Sequence, residues 1–348
     1  MSGRIRVGLI GYGMAGRVFH APLIRATSAL DLVAIATSRA DAVAALDPAI
    51  RCGTQADILA DPAIDLVVVA TPSATHAAIA ADALRAGKHV VVDKPFALSL
   101  AEARDLAALA NAHGRQLAVF HNRRFDSDFL SIRAAIEDGV VGRVTHFESH
   151  FDRFRPEVRD RWREDGSPGS GVWFDLGPHL VDQALALFGA PLAVSADIAA
   201  LRPGSASDDW AHVVLRYDGM RVVLHASLTA PGGDAGGSPR FTVHGDKGSI
   251  VKWRMDPQEA QLIAGSRPGD AGWGVDPDPV EQRDGDGGVM LRPAAIGCQQ
   301  LFYSQVAQAL LTGQALPISI EEALGVQAVI DAALLSARDG RVVTLPLP

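Results

Sequence analysis

The sequence predicts an α/β protein of two domains, the first built on a parallel sheet and the second on an antiparallel one. Three observations carry this. Over about the first 120 residues, short runs of apolar β-formers alternate with helical patterns, as a parallel sheet covered on both faces requires. From about residue 140 the strands lengthen, alternate apolar with polar residues, and follow one another through hairpin-type connections. The chain has 348 residues, enough for two separately buried cores.

Taken in order, "IRVGLIG", "LDLVAIAT", "IDLVVVAT", "HVVVDKP" and "QLAVFH" read as strands buried on both faces. Between them, "ATHAAIAADALRAG" and "SLAEARDLAALANAHG" have helical spacing. The second opens with a capping box in which Ser99 and Glu102 satisfy each other's end of the helix. The grammar then changes to "VTHFESHFDRF", "DDWAHVVLRYDG", "MRVVLHASLTA" and "PRFTVHGDKGSIVKW", an antiparallel set. Helical patterns remain around 124–138, 174–188, 299–312 and 320–338. The glycine-rich stretch 231–239 and the acidic stretch 266–290 read as surface loops. These changes place a first domain at 1–121 and a second at 122–348.

Composition narrows the function. A net charge of −8 argues against nonspecific binding to nucleic acid or an anionic membrane. No apolar run reaches the length of a bilayer span, and the opening "MSGRIRVGLIGYG" is too short and glycine-punctuated for a secretory signal, so a cytoplasmic protein is expected. Cys52 and Cys298 are the two cysteines. They are too far apart in sequence for a disulfide framework or a paired metal-ligand spacing.

"GLIGYGMAGRVFHAPLI" places Gly11, Gly13 and Gly16 in G-x-G-x-x-G spacing directly after the first strand and at the opening of a helix. The first glycine permits the tight turn, the second lets a pyrophosphate approach the backbone, and the third lets helix and strand pack closely. With Met14 and Ala15 they form the expected phosphate-binding turn, the phosphates lying on unpaired N–H groups at the helix start. At the end of the second strand, where an acid would grip the ribose hydroxyl of NAD, the chain has Ser38 and Arg39, with no acid until Asp41. A guanidinium pairs with a 2′-phosphate and a carboxylate would repel it, so NADP is expected, with NAD as the alternative.

Lys94 ends the strand "HVVVDK" in a chain with four lysines among 32 basic residues. Strand ends in open α/β sheets line the ligand crevice, and lysine, unlike arginine, can release a proton when its surroundings allow. A second constellation is "GVWFDLGPHLVDQ", where Asp175, His179 and Asp182 share one helical face. A carboxylate beside an imidazole orients the ring and stabilises its protonated form, which suits proton transfer near neutral pH. Pro178 is comfortable only in a first helical turn, which would put Asp175 at the helix start. The alternative is that Asp175 caps the helix and His179 is a satisfied, half-buried histidine. "HFESH" sets His146, Glu148 and His150 on one face of a strand, a set that alternation produces by chance, and no metal site is expected. His20 and His121 lie near the presumed crevice.

Together, "GLIGYGMAGRVFHAPLI", "TPSATH", "HVVVDKP", "FHNRRFDSDFL" and "GVWFDLGPHLVDQ" resemble the Gfo/Idh/MocA oxidoreductases through nearly the whole chain. The stretch "FESHFDRFRPEVRDRWRE" looks most like the branch containing NADP-dependent scyllo-inositol dehydrogenases. The resemblance implies a Rossmann domain followed by an α/β domain with a large, mostly antiparallel open sheet, and a homodimer or homotetramer assembled through that sheet. It makes Lys94 part of an E-K-P motif, with Asp175 and His179 as the remaining catalytic pair. It sets Thr71, Pro72, His76, Asp93, Asn122, Arg123, Trp162 and Arg163 beside the cofactor. Three departures accompany it: Asp93 replaces the motif's Glu, Phe174 replaces a Tyr with loss of a hydroxyl contact to substrate, and "AAIGCQQLFYS" replaces a Gly-Asn-Tyr-Pro pattern.

The activity implied is hydride transfer between NADP(H) and a cyclic polyol or sugar, scyllo-inositol and its 2-keto form first. Lys94, Arg153, Phe174, Asp175 and His179 would meet the substrate. The alternatives are an aldose or keto-sugar dehydrogenase or reductase of the same family, and a non-catalytic NADP-sensing protein.

Overall fold

The first sheet is made of six short parallel strands: β1 (Ile5–Ile10), β2 (Leu30–Ala36), β3 (Arg51–Gly53), β4 (Leu66–Val69), β5 (His89–Val92) and β6 (Leu117–Val119). The computed structural model describes residues 3–233 and 237–346, so residues 234–236 of the loop expected at 231–239 lie outside the described residues. Strand order is β3-β2-β1-β4-β5-β6, with every pairing parallel. The order reverses between β1 and β4, and at such a switch point the carboxyl ends of the strands open a ligand crevice. Five of these strands are the apolar runs legible in the sequence. The sixth, β3, is three residues long and largely exposed, so it carries no hydrophobic pattern and is held by its pairing to β2.

Helices α1 (Ala21–Arg25), α2 (Ala40–Leu46), α3 (Gln55–Ala60), α4 (His76–Arg85) and α5 (Leu100–Ala112) connect the strands. Ile79, Ala83 and Leu84 of α4 and Ala103, Leu106 and Ala110 of α5 bury one stripe each against Val67, Val69, Val90 and Val92. α5 starts as expected, with Glu102 N–H donating to Ser99 Oγ, but the Glu102 carboxylate reaches back to Leu98 N–H and not to Ser99 N–H. This unit comprises Met1–Asn122 together with Gln258–Trp273 and Cys298–Leu324. The later segments bring in the helices Gln258–Ala264 and Gln300–Thr312.

The second unit, Arg123–Pro257, Gly274–Gly297 and Gly325–Pro348, is built on a nine-stranded sheet. Its strands are β7 (Val144–Asp152), β8 (Ala193–Ala199), β9 (Trp210–Tyr217), β10 (Met220–Ser227), β11 (Phe241–Gly245), β12 (Gly248–Lys252), β13 (Val280–Asp284), β14 (Val289–Arg292) and β15 (Val343–Thr344). They lie in the order β14-β13-β12-β11-β7-β10-β9-β8-β15. All neighbours are antiparallel except β7 and β10.

Alternation decides the faces. Phe147, Phe151, Val213, Leu215, Val222 and Leu224 point into a core closed by α6 (Ser127–Glu137), α7 (Val172–Phe188) and the later turns of helix Ile320–Asp339. His146, Glu148, His150, Val214, Val223 and His225 lie on the opposite, half-exposed face.

Two further expectations need correction. The stretch 266–290 is not loop throughout, because β13 lies inside it. Apart from buried Val280 its "VEQRD" is polar, and the strand gains its place chiefly from ladder bonds to β12 and β14. Pro178 sits in the interior of α7, which begins six residues earlier at Val172. The helix tolerates it beside Gly177, where a Cβ would come within 2.7 Å of the Trp173 ring, so the Gly-Pro step keeps that indole on the helix surface. Among the described residues no helix is long and apolar enough to cross a membrane.

Candidate dinucleotide and catalytic sites

In the first unit, the glycine turn shows why each glycine is there. Gly11 has φ +101°, and a Cβ on it would strike the Ala70 carbonyl oxygen. A Cβ on Gly16 would strike the Gly11 carbonyl oxygen, so the helix can pack this close only without a side chain. Gly13 differs: nothing lies within 4 Å of where its Cβ would project. That open flank, with exposed Met14 and half-buried Ala15 beyond it, is the room a pyrophosphate needs to reach backbone N–H groups. The turn fits a dinucleotide.

The other candidates of this unit emerge at the carboxyl ends of the same strands. Ser38 and Arg39 are exposed just past β2, where Arg39 N–H donates to Thr37 Oγ1 at 3.2 Å and α2 begins. Past β4, the hydroxyls of Thr71 and Thr75 pair at 2.7 Å and Pro72 is exposed. His76 is buried, with Nδ1 at 2.8 Å from the Pro95 carbonyl and Nε2 at 2.9 Å from the Thr71 carbonyl, so it ties the loop after β4 to the turn after β5. Past β6, Asn122 is buried.

Asp93 and Lys94 follow β5. The Lys94 backbone N–H donates to Asp93 Oδ1 at 2.9 Å, and the Lys94 side chain is half-buried. Burial opposes a charge on Asp93. His20, whose Nε2 stands 3.6 Å from Oδ1, and the Lys94 ammonium outweigh that and hold the carboxyl below its usual range.

In the second unit the central element is α7. Its N-cap is Gly171 at φ +94°, a residue with no side chain to offer the first turn. The cap is supplied from a distance: Asp208 Oδ2 accepts Trp173 N–H at 2.7 Å and its carbonyl accepts Val172 N–H at 2.8 Å. The Asp208 carboxylate occupies the space a Gly171 Cβ would need. Burial, reinforced by Asp209, pushes the Asp208 carboxyl up to about 6 against the pull of these N–H groups. Asp175 is therefore not the capping residue; it lies in the first turn, where Arg163 Nε donates to its Oδ1 at 3.2 Å. The Arg163 guanidinium rests 4.3 Å over the Trp162 ring, joining these two candidates to Asp175.

Arg153, Arg163 and Asp175 line one small cleft with Arg161, Gly171 and Asp208. Phe174 is half-buried and His179, one turn beyond Asp175, is buried. Asp182, on the same face, is gripped by a fork from Arg124 at 2.9–3.1 Å. Arg123 pairs with Asp126 at 2.9 Å and lies over Phe151. The strand trio is joined internally: Glu148 accepts from His146 at 2.7 Å and from His150 at 3.2 Å. Among the described residues no group of His, Cys, Asp and Glu is arranged to hold a metal ion.

Several residues at these sites had no sequence signal. Tyr303 bonds His20, Asp208 caps α7, and buried Arg202 pins the "RWRE" segment through Glu164 Oε2 at 2.9 Å while also holding Asp209. The contacts to His20, to Trp173 and to Glu164 each span 35 residues or more, a distance no spacing rule covers.

Residues 5–121 match the Gfo/Idh/MocA family model described as oxidoreductase family, NAD-binding Rossmann fold. Residues 133–345 match the model for the C-terminal alpha/beta domain of the same family. An uncharacterized oxidoreductase of Escherichia coli, YdgJ, is 46% identical over 97% of this chain and 98% of its own. The scyllo-inositol 2-dehydrogenase (NADP(+)) IolW of Bacillus subtilis is 36% identical over 98% of this chain and 96% of its own. A crystal structure from Klebsiella pneumoniae superposes with a TM-score of 0.91 at 50% identity, covering 100% of this chain and 96% of that one.

Proposed function

This chain belongs to the Gfo/Idh/MocA family of oxidoreductases, and on that premise we propose that it moves hydride between NADP(H) and a cyclic polyol or sugar, with scyllo-inositol and its 2-keto form as the substrate pair. The observation that carries the reading is the full-length likeness to an NADP-dependent scyllo-inositol 2-dehydrogenase. Arg39, exposed at the end of β2 where an acid would select NAD, supports NADP.

The nicotinamide, when bound, supplies the hydride acceptor or donor. The glycine turn seats the pyrophosphate, Arg39 the 2′-phosphate, and Thr71, Pro72, His76, Asp93, Asn122, Arg123, Trp162 and Arg163 border the cofactor. In the oxidative direction His179 takes the hydroxyl proton as the C–O bond becomes a carbonyl. Asp175 supports the imidazolium, and Lys94 hydrogen-bonds the substrate oxygen and stabilises its developing charge. Arg153 and Phe174 contact substrate. Phe174 and the segment "AAIGCQQLFYS", both departures from the family pattern, favour a second reading in which the same chemistry serves an aldose or keto sugar. The half-exposed face of the nine-stranded sheet serves assembly as a homodimer or homotetramer.

The test is a panel of inositols, aldoses and keto sugars followed by nicotinamide absorbance, with Lys94→Ala beside the wild type. Turnover of scyllo-inositol with NADP⁺, lowered at least about 100-fold in the variant while NADPH still binds, is the expected result. Tight NADPH binding with no hydride transfer to any compound would favour a sensing role instead. Near-normal turnover of Lys94→Ala would remove Lys94 from the mechanism.

A further inference from the structure

We propose that His20 and Tyr303 are positioning residues for Lys94, acting through the Asp93 carboxylate. The inference rests on the reading of Lys94 as the group that meets the substrate oxygen. It starts from two polar side chains with no exposure: His20 and Tyr303 are both at 0%. Buried polar groups are costly unless they are paired. Here they pair with each other, His20 Nδ1 lying 2.6 Å from the Tyr303 hydroxyl.

The other edge of the imidazole faces Asp93 Oδ1 at 3.6 Å. A carboxylate only accepts, so that edge is the N–H edge; Nδ1 of the neutral ring is then an acceptor, and the Tyr303 O–H donates to it. Burial, with the nearby Asp93 charge, pushes the Tyr303 hydroxyl well above its ordinary value, and it remains a phenol across the working pH range. The same Oδ1 of Asp93 accepts the Lys94 backbone N–H. One oxygen therefore stands at ion-pair distance from the imidazole, 3.6 Å and longer than a hydrogen bond, while it hydrogen-bonds the backbone from which the Lys94 side chain departs.

The surroundings leave this chain no slack. The helix after the glycine turn widens to a π-turn over Gly16–His20, and His20 is presented inward at its end. Phe120 lies 4.3 Å from the imidazole and 5.7 Å from the phenol, and Phe302 packs edge-on against Phe120 at 4.9 Å. On the far side of the turn His76 holds the Pro95 carbonyl. Lys94 thus stands between an anchored residue 93 and an anchored residue 95. Misplacing a catalytic group by a fraction of an ångström is enough to slow a reaction, which gives such anchoring a function beyond stability.

The experiment uses the full chain as wild type, Tyr303→Phe, His20→Gln and Lys94→Ala. Few lysines make the first readout simple: Lys88 and Lys252 are buried, so reductive methylation with ¹³C-formaldehyde labels Lys94 and exposed Lys247, and Lys94→Arg assigns the Lys94 resonance. Tyr303→Phe and His20→Gln are expected to displace the Lys94 resonance while that of Lys247 stays in place. An unmoved Lys94 resonance overturns the proposal whatever the activity.

With NADP⁺ and scyllo-inositol, both variants should lower kcat about tenfold while KM and the NADPH Kd stay within about twofold, a split that a loosened fold would not produce. A displaced resonance with unchanged kcat, in a protein whose Lys94→Ala variant is inactive, also overturns it. A displaced resonance with normal turnover in Lys94→Ala would instead keep the coupling and defeat the catalytic reading of Lys94. Tyr303→Phe removes a single oxygen and keeps the test available should His20→Gln fail to fold.

Discussion

At Gly13 the absence of neighbours makes a prediction that the other two glycines of the turn cannot make. Alanine there has space, so Gly13→Ala should melt within a few degrees of wild type yet bind NADPH at least about tenfold more weakly, because its methyl enters the pyrophosphate's approach. Equal affinity by fluorescence titration would place the phosphates elsewhere. Gly16→Ala confounds folding with binding, since its methyl meets backbone.

Arg39 makes a separate prediction. Arg39→Asp is expected to weaken NADPH at least about tenfold relative to NADH, as a carboxylate replaces the phosphate's partner. An unchanged ratio would move 2′-phosphate recognition to another residue. Both positions were legible in the sequence because the turn and the strand end are local features, read from spacing alone. His20 was legible only as a histidine near the crevice. Its partner Tyr303 lies 283 residues away, and nothing in "QQLFYS" announces it.

At the level of the element, α7 shows how far a local rule reaches. The apolar pattern and the Asp175-to-His179 spacing marked the helix, but a proline in its interior suggested a later start. The capping acid comes from the loop between β8 and β9. Asp208 has consequences for stability. Its carboxyl rises from 3.8 to about 6 on folding. The folded state then holds the proton more tightly than the unfolded one, and stability from this group is complete below about pH 4 and lost as pH rises through about 6. The difference corresponds to about 3 kcal/mol.

Asp208→Asn keeps an oxygen for the Trp173 N–H and cannot ionise. Denaturant unfolding of this variant between pH 4 and 7 should show a flatter fall in stability than wild type by up to that amount. Identical slopes would mean Asp208 is ionised in the fold throughout. β13 makes the complementary point, for a strand with one buried apolar residue is visible only in its ladder.

For the whole molecule, the nine-stranded sheet has one face in the core and another that carries Val214, Val223 and five histidines, His146, His150, His212, His225 and His244. A sheet face of this extent is suited to a second copy. Sedimentation should show a dimer or tetramer at micromolar concentration, and Val223→Asp, a charge beside Val214 and Glu148, should lower the association constant at least about tenfold. A monomeric wild type, or a variant of unchanged mass, would end that proposal.

The sequence by itself determined the parallel first sheet, the glycine turn, the largely antiparallel second sheet, Lys94 at a strand end and the helix that carries Asp175 and His179, because periodicity, turn chemistry and helix spacing act between neighbours. Tertiary structure alone decided that β7 and β10 run parallel, that Asp208 starts α7, that Arg202 pins the "RWRE" segment, and that Tyr303 pairs with His20 from 283 residues away. Those contacts satisfy buried polar groups, and a buried polar group takes whichever partner the packed chain brings within hydrogen-bond reach, however distant in sequence.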